Sequence, residues 1–348
     1  MANSPYASLK IAQEVKDFRK SMTKTINLIW WQFDPHLAYE YDWLNSLLSD
    51  FTVKHIVGVE DAACLDNAVI IANLSQIFCT KNGSRKEYTN KLQQFHNYIK
   101  RYQNEGLKVG LFHLGDEFYK ESISFYKDLD FIFRPYFRKE AHKKYKGCYY
   151  LPLGYSSGFC NGLVPRKISE RDYSWSFAGQ LKGSRYEMLE YAQRIPGGKY
   201  HETSQWNDPN GLTTKEYAAL LSNTVFSPCP IGNFSVDCFR VYESLEAGAI
   251  PIIEAKGVRE ALTIFFNPQH IIKYGIRDQK VWLRNYRYWE KAFSSDFPCP
   301  LIYSWKDFGV LINSIDAEST SKKIQLWWKE YKLSLTQFIH ATIEETFT

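Results

Sequence analysis

The sequence predicts an α/β protein built as two doubly wound domains. Three observations predict it. Short apolar runs alternate with helical stretches along the chain; the alternation breaks at a polar stretch near the middle and then resumes; and 348 residues exceed what one compact core ordinarily holds. In the first half, "TINLIWW" (residues 25–31), "VKHIVGV", "AVIIANL", "KVGLFHL" and "LDFIFRPYF" have the length and branching of buried strands. Helical stretches such as "KEYTNKLQQFHNYIKRYQNEG" separate them, so the sheet is expected to be mainly parallel. "CYYLPLGYSSGF" (residues 148–159) adds a last strand and a glycine-rich turn, and "NGLVPRKISERDYS" reads as the linker.

The second half repeats the scheme with "WSFAGQ", the helix "SRYEMLEYAQR", "KYHETS", the helix "TTKEYAALLS", "TVFSPCP", the helix within "FRVYESLEAG" and the strand "AIPIIE". "QKVWLRNYRYWEKAF" and "KKIQLWWKEYKLSLTQFIHATIEE" follow as amphipathic helices whose tryptophans and tyrosines require a surface to cover them. The expected division is 1–160, 161–316, and a final helix over 317–348 that packs back across both domains.

Composition narrows the function classes. Hydrophobic residues at 45% and charged residues at 23% are those of a globular protein, and an aromatic share of 16% suits cores and a sugar-binding cleft. A net charge of +5 with no long Lys/Arg run argues against a nucleic-acid arm or a membrane patch. The densest basic segment, "RKEAHKKYKG", reads as a solvated helix face or as a seat for an anionic ligand. Seven scattered cysteines show no CxxC pair and no zinc spacing, which predicts reduced thiols and no bound metal. The opening "MANSPYASLKIAQEVKDF" has no apolar signal core and no apolar run approaches about 20 residues, so a soluble, cytoplasmic protein is expected, with chance sequons at Asn73, Asn82 and Asn233.

The chemistry concentrates in "SPCPIGNFSVDCFRVYESLEAGAIPIIE". Pro228, Pro230 and Gly232 are expected to prevent regular structure until Ser235 or Asp237 caps a helix, which Gly248 then closes in a left-handed conformation. Loop, helix and short strand in that order place a helix N-terminus at the crevice of an open α/β sheet, where anions bind. Arg240 and Glu243, three residues apart, share a helix face: a planar cation suited to a diphosphate and a carboxylate suited to ribose hydroxyls, or else a plain surface ion pair. Arg185, after the turn "KGS", points to the same crevice or to solvent.

The same stretch resembles the donor-binding core of exostosin-like glycosyltransferases, family 47: a proline-glycine loop, an Arg, a Glu shortly after, then Ala-Gly-x-x-Pro. "YYLPLGY", "SFAGQLKGSR" and the closing "LWWKEYK" resemble further segments of that family in the same order. The match is closer in the second half than in the first. The resemblance implies a GT-B fold, two Rossmann-like domains facing a central cleft, and an inverting transfer from a uridine-diphosphate sugar to a glycan hydroxyl with no tightly bound cofactor and no metal needed for chemistry. Xylose is the donor sugar suggested by similarity to the smaller exostosin-like xylosyltransferases. On this reading Arg185 and Arg240 stabilise the leaving diphosphate, and Pro228, Gly232, Ser235 and Glu243 line the nucleotide site.

An inverting reaction needs a base on the acceptor side. "LFHLGDEF" puts His113, Asp116 and Glu117 at the end of an apolar strand, and the resemblance has an acidic residue there, so Asp116 is the expected base with Glu117 and His113 behind it; an ordinary turn is the alternative. Arg134 in "FIFRPYF" either contacts a substrate or holds a proline-bracketed turn. GxSxG, GxGxxG and P-loop signatures are missing, which counts against hydrolase, dehydrogenase and kinase chemistry. Two other functions remain open: a nucleotide- or glycan-binding protein without activity, and a retaining transferase.

Overall fold

The structure, a computed structural model, describes residues 24–31, 34–58, 63–74, 85–119, 121–205, 208–256, 285–293 and 297–348. The chain divides into two units, one comprising residues up to Pro152 together with Lys332–Thr348, the other Leu153–Tyr331.

The first unit holds a six-stranded sheet of β1 (Thr25–Trp30), β2 (Thr52–Val57), β3 (Ala68–Asn73), β4 (Val109–Leu114), β5 (Phe131–Arg134) and β6 (Cys148–Tyr150), ordered β2-β1-β3-β4-β5-β6. Every pairing is parallel. Each residue of β3 and β4 is buried, as expected of central strands covered on both faces, whereas Thr52, Lys54, His55 and Val57 are exposed on the edge strand β2. Helices α1 (Tyr41–Leu47), α2 (Arg85–Asn104) and α3 (Lys139–Lys144) join the strands. α2 presents Phe95, Tyr98, Ile99 and Tyr102 at helical spacing to Ile70, Leu111 and Ile132 of the sheet, and all seven are buried. Burying each such side chain contributes about 1.5–3 kcal/mol, enough to seat a helix of low mean hydropathy.

The second unit holds a five-stranded parallel sheet of β7 (Tyr173–Gln180), β8 (Gly198–Thr203), β9 (Thr224–Cys229), β10 (Ile250–Glu254) and β11 (Leu301–Ile302), ordered β11-β10-β9-β7-β8. Its helices are α4 (Arg185–Ala192), α5 (Thr214–Ser222), α6 (Phe239–Glu246), α7 (Tyr288–Phe293), α8 (Phe308–Ser314) and the first part of α9 (Ala317–Phe347). α5 opens with a capping box between Thr213 and Glu216. α6 ends as the sequence predicts, with Gly248 at φ 69°, and Ser321 of α9 donates to the Gly248 carbonyl at 3.1 Å. The expected α/β class and alternating order are thus observed in both halves.

The tryptophan-rich helix α9 is covered in two different ways along its length. Trp327, Trp328 and Tyr331 are buried in the second unit, where Phe293 meets Trp327 and Tyr331 edge-on and Trp328 Nε1 donates to Glu246 at 2.9 Å. Leu335, Ile339 and Ile343, four residues apart, are buried in the first unit, where Phe338 meets Phe133 and Tyr149 edge-on.

Three expectations need correction. The units divide at Pro152/Leu153 rather than at 160, because Ser156 hydrogen-bonds within the second unit, to Glu243. Pro228 lies inside β9 rather than ending regular structure, in register with Ile252 of β10. Neither Ser235 nor Asp237 caps α6. Cys238 is the N-cap and makes no side-chain cap bond, while Ser235 Oγ instead accepts from the Asp237 N–H at 3.1 Å. The helix expected over 279–293 is described only from residue 285, with α7 beginning at Tyr288; residues 279–284 lie outside the described residues, as does Asn82.

Candidate functional site

In the second unit the strand order reverses between β7 and β9, and in a parallel sheet the crevice beyond the carboxyl ends of those two strands is where ligands bind. Residues 181–184 after β7 and 230–238 after β9 form its rim. Arg240, in the first turn of α6, reaches back to it: Nη2 donates to the Ala178 carbonyl at 2.9 Å, and the guanidinium lies 4.5 Å from the centroid of the Phe177 ring. Its Nε is buried and meets no hydrogen-bond partner. Gly179 is part of this seat, since a Cβ there would come within 3.1 Å of Arg240 Nη2 and its φ of 145° disfavours other residues.

Arg185, 9% exposed, crosses the crevice floor. Nη1 donates to the Gln180 carbonyl at 2.9 Å and Nη2 to the Ile231 carbonyl at 3.4 Å, so one side chain links the loops after β7 and β9. Glu254, at the carboxyl end of β10, holds the same loops from the other side. Its Oε2 accepts from Ser184 Oγ at 2.5 Å, the Ile231 N–H at 3.1 Å and Trp305 Nε1 at 3.2 Å, and Lys256 Nζ sits 2.6 Å from Oε1. The 230–238 loop is held further by Asp237, which accepts from the Tyr242 and Tyr288 hydroxyls at 2.6 Å each, and by Asn285, which donates to the Phe234 carbonyl at 2.6 Å. A loop with this many fixed points is pre-organised, so binding there costs little ordering entropy.

Glu243 lies one turn further along α6 and is buried. Its Oε1 accepts from Ser156 Oγ at 2.5 Å and from the Ser156 N–H at 3.3 Å. Burial pushes its carboxyl above the ordinary range, against the opposing pull of the Ser156 hydrogen bond and the Arg240 charge. Arg240 and Glu243 therefore do not form a solvated surface pair. Pro228 and Ser235 are buried, and Gly232, whose N–H donates to the Ser235 carbonyl at 2.9 Å, is half-buried at the loop tip. Burial pushes the thiols of Cys229 and Cys238 up, which keeps both protonated and leaves no thiolate nucleophile beside the crevice.

The first unit gathers the other predicted residues at the carboxyl ends of β4 and β5. Asp116, 1% exposed and at φ 62°, accepts from Arg134 Nη2 at 2.9 Å and Arg138 Nη1 at 3.2 Å on Oδ2, and from the Glu121 N–H at 2.9 Å on Oδ1. His113, fully buried, has Nε2 2.5 Å from Glu121 Oε2 and Nδ1 paired with the Tyr126 hydroxyl, which also accepts from Arg134 Nη1 at 3.0 Å. Asp116 thus pairs with two guanidinium groups and Glu121 with His113, while Arg138 Nε is buried without a hydrogen-bond partner. Arg134, with no exposure, acts inside the fold, and Glu117 is the half-exposed carboxylate of the group. Arg138 is tied to Asp116, whereas Lys139, Lys143, Lys144 and Lys146 of the same basic run are exposed, so that run is mostly a solvated face.

Sequence reasoning singled out Arg185, Arg240, Glu243 and Gly232; the fold brings Arg185, Arg240 and Gly232 to the loops after β7 and β9, and Glu243, one turn further along α6, meets Ser156. It missed Ser156 and Glu254, which no local pattern marks, although Glu254 ends a strand next to the helix it discussed. Among the described residues no group of His, Cys, Asp and Glu is arranged to hold a metal ion, and no helix is long and apolar enough to cross a membrane. None of the described cysteines forms a disulfide.

No family model and no curated protein matches the chain. Among solved structures it is similar to one described as "Crystal Structure of alpha1,3-Fucosyltransferase", at 12% identity over 88% of this chain and 96% of that one, with a TM-score of 0.35. A likeness at that level identifies neither a family nor an activity, so the function is argued from the site.

Proposed function

We propose that this chain is a glycosyltransferase of the GT-B type whose second unit binds a uridine-diphosphate sugar. The observation that carries the reading is Arg240: a cation seated on Phe177, held by the Ala178 carbonyl, with a buried Nε–H that lacks an acceptor. A buried donor without a partner in a switch-point crevice is best satisfied by an anionic ligand. The Pro-Gly loop, the Arg–Glu spacing and the Ala-Gly-x-x-Pro ending, which resemble the exostosin-like pattern, support the choice of nucleotide sugar.

On this reading an acceptor hydroxyl attacks the anomeric carbon with inversion, its proton passes to a carboxylate, and the bond to the diphosphate oxygen breaks. Charge growing on the leaving diphosphate is met by Arg240, with Arg185 keeping the two loops in register. Glu243 faces the nucleoside. For the base we propose Glu117 ahead of Asp116, because Asp116 is 1% exposed and its carboxylate oxygens accept three hydrogen bonds within the fold, whereas Glu117 is half-exposed. Xylose stays the donor sugar of choice and a glycan the acceptor, with metal-independent transfer.

Thermal unfolding with UDP, GDP and ADP, with and without Mg²⁺, tests the proposal. UDP at about a hundred times its dissociation constant adds about 2.7 kcal/mol of stability. Arg240→Ala is expected to weaken UDP binding by about 1.5–3 kcal/mol, roughly ten- to a hundredfold. No stabilisation by any nucleotide, or an unchanged affinity in the variant, would remove the assignment. The engagement of Asp116 favours one second reading, a nucleotide-binding protein without transferase activity; UDP binding without turnover, with Glu117→Gln leaving the protein unchanged, selects it.

A further inference from the structure

Tyr217, near the start of α5, has no role in the site described above, yet the fold sets it against both ionisable groups of α6. α5 packs on α6, and the turn of residues 156–159 lies against the two helices: Ser156 Oγ is 2.5 Å from Glu243 Oε1 on α6, and the Phe159 ring meets the Tyr217 ring of α5 edge-on with centroids 6.0 Å apart. The Tyr217 phenol interacts electrostatically with Arg240 first and then with Glu243, and for Arg240 the largest charge interaction is the one with Tyr217. A phenol, a guanidinium and a carboxyl therefore form one cluster inside the second unit.

Each member of the cluster has a polar atom left over. Arg240 Nε–H is buried without an acceptor. The Tyr217 hydroxyl hydrogen-bonds to none of the described residues, although the residue is half-buried. Ser156 engages Oε1 of Glu243 and leaves Oε2. Burial pushes the proton affinity of the phenol up, against the pull of Arg240, so Tyr217 keeps its proton and acts as a donor. Two donors beside one acceptor fit a ligand in which an anionic oxygen group adjoins hydroxyls. A free polyphosphate offers the carboxyl nothing but repulsion, and an uncharged sugar leaves the guanidinium unmatched.

From this arrangement we propose that Tyr217 is a ligand-contacting residue of the second unit: its hydroxyl donates to the phosphate nearest the ribose of a nucleoside diphosphate, beside Arg240, while Glu243 takes the ribose hydroxyls. The inference rests on the preceding reading of this unit as a nucleotide site and adds a residue to it. The phosphate is the partner because a phosphate oxygen only accepts, and the phenol is coupled more strongly to the guanidinium that holds the anion than to the carboxyl. No local pattern marks the residue: "TTKEYAALLS" reads as an ordinary capped helix, and only the turn at 156–159 and the first turns of α6 give its hydroxyl a setting.

The test is calorimetric titration of the full chain with UDP and with deoxyuridine diphosphate, in the parent protein and in Tyr217→Phe, which keeps the ring against Phe159 and removes only the hydroxyl. The variant should bind both nucleotides more weakly by one and the same factor, about tenfold or more, because the lost bond is to the phosphate that both carry. Its thermal midpoint without ligand should equal that of the parent, because the hydroxyl has no partner among the described residues to lose. A lower midpoint without ligand overturns the inference, since the hydroxyl would then serve the fold. A factor that differs between the two nucleotides overturns the phosphate contact and moves the hydroxyl to the ribose. UDP binding that Tyr217→Phe leaves unchanged removes this inference alone, whereas a parent protein that binds no UDP removes the donor assignment together with it.

Discussion

Glu40 makes a prediction that can be worked through from its surroundings. Burial raises its carboxyl from the ordinary 4.5 to about 7, and only its own backbone N–H opposes the shift. A folded-state value above the unfolded one means that the native state binds the extra proton, so the stability tied to this group is complete below pH 4.5 and is lost as pH rises through about 7. At about 1.36 kcal/mol per unit, the loss is about 3 kcal/mol once both states are ionised. Glu40→Gln has nearly the same shape and never ionises. It should match the parent protein below pH 4.5 and exceed it by up to about 3 kcal/mol near pH 8. Urea unfolding of both proteins at the two pH values, followed by far-ultraviolet circular dichroism and by tryptophan fluorescence, measures the difference, with two probes because two units need not unfold together. A difference that does not change with pH would refute the reasoning, because it would mean that Glu40 ionises in the fold as freely as in water.

The other predictions concern the two described networks. Asp116→Asn removes one charge from a buried pair and leaves Arg134 uncompensated, so a loss of about 3–5 kcal/mol is expected on urea unfolding; a variant as stable as its parent would restore Asp116 to the role of an unencumbered base. Glu254→Ala frees Ser184 and the Ile231 N–H together, so hydrogen exchange should speed up at Ile231 and UDP affinity should fall about tenfold or more, with slow exchange retained in β10. Unchanged exchange at Ile231 would mean that Arg185 and Asp237 hold the loops without it. Gly110→Ala, at the second position of β4, would put a Cβ 2.0 Å from the Phe131 ring and should cost about 1–3 kcal/mol, read as a lower thermal midpoint; no change would mean that Phe131 turns aside freely.

The two networks differ in a way that bears on function. In the first unit Asp116 pairs with both Arg134 and Arg138, and the Glu121 carboxylate lies against His113. In the second unit Arg240 is held by a ring and one carbonyl, neither of which neutralises it. That asymmetry, more than any motif, makes the crevice of the second unit the candidate for an anion.

The sequence by itself determined the order and class of the elements. Strand runs such as 68–73 and 109–114, the helical spacing of Phe95, Tyr98, Ile99 and Tyr102, and the left-handed Gly248 follow from period, branching and backbone freedom, all properties of near neighbours along the chain. It also marked Arg185, Arg240 and Glu243 as one candidate set, because in a parallel sheet the loop after a strand opens at the carboxyl end. Only the tertiary structure decided what those groups meet there. Ser156 reaches Glu243 across 87 positions of sequence and Ser184 reaches Glu254 across 70, and no local pattern encodes either pairing. The same holds for "LFHLGDEF", where the acidic turn was legible but its closure by Arg134 and Arg138 was not, and for Glu40, whose sequence looks like an ordinary polar helix start. Propensity is summed over neighbouring residues, whereas burial, hydrogen bonding and proton affinity are set by whatever the folded chain brings within a few ångströms, and that is where chemistry is assigned.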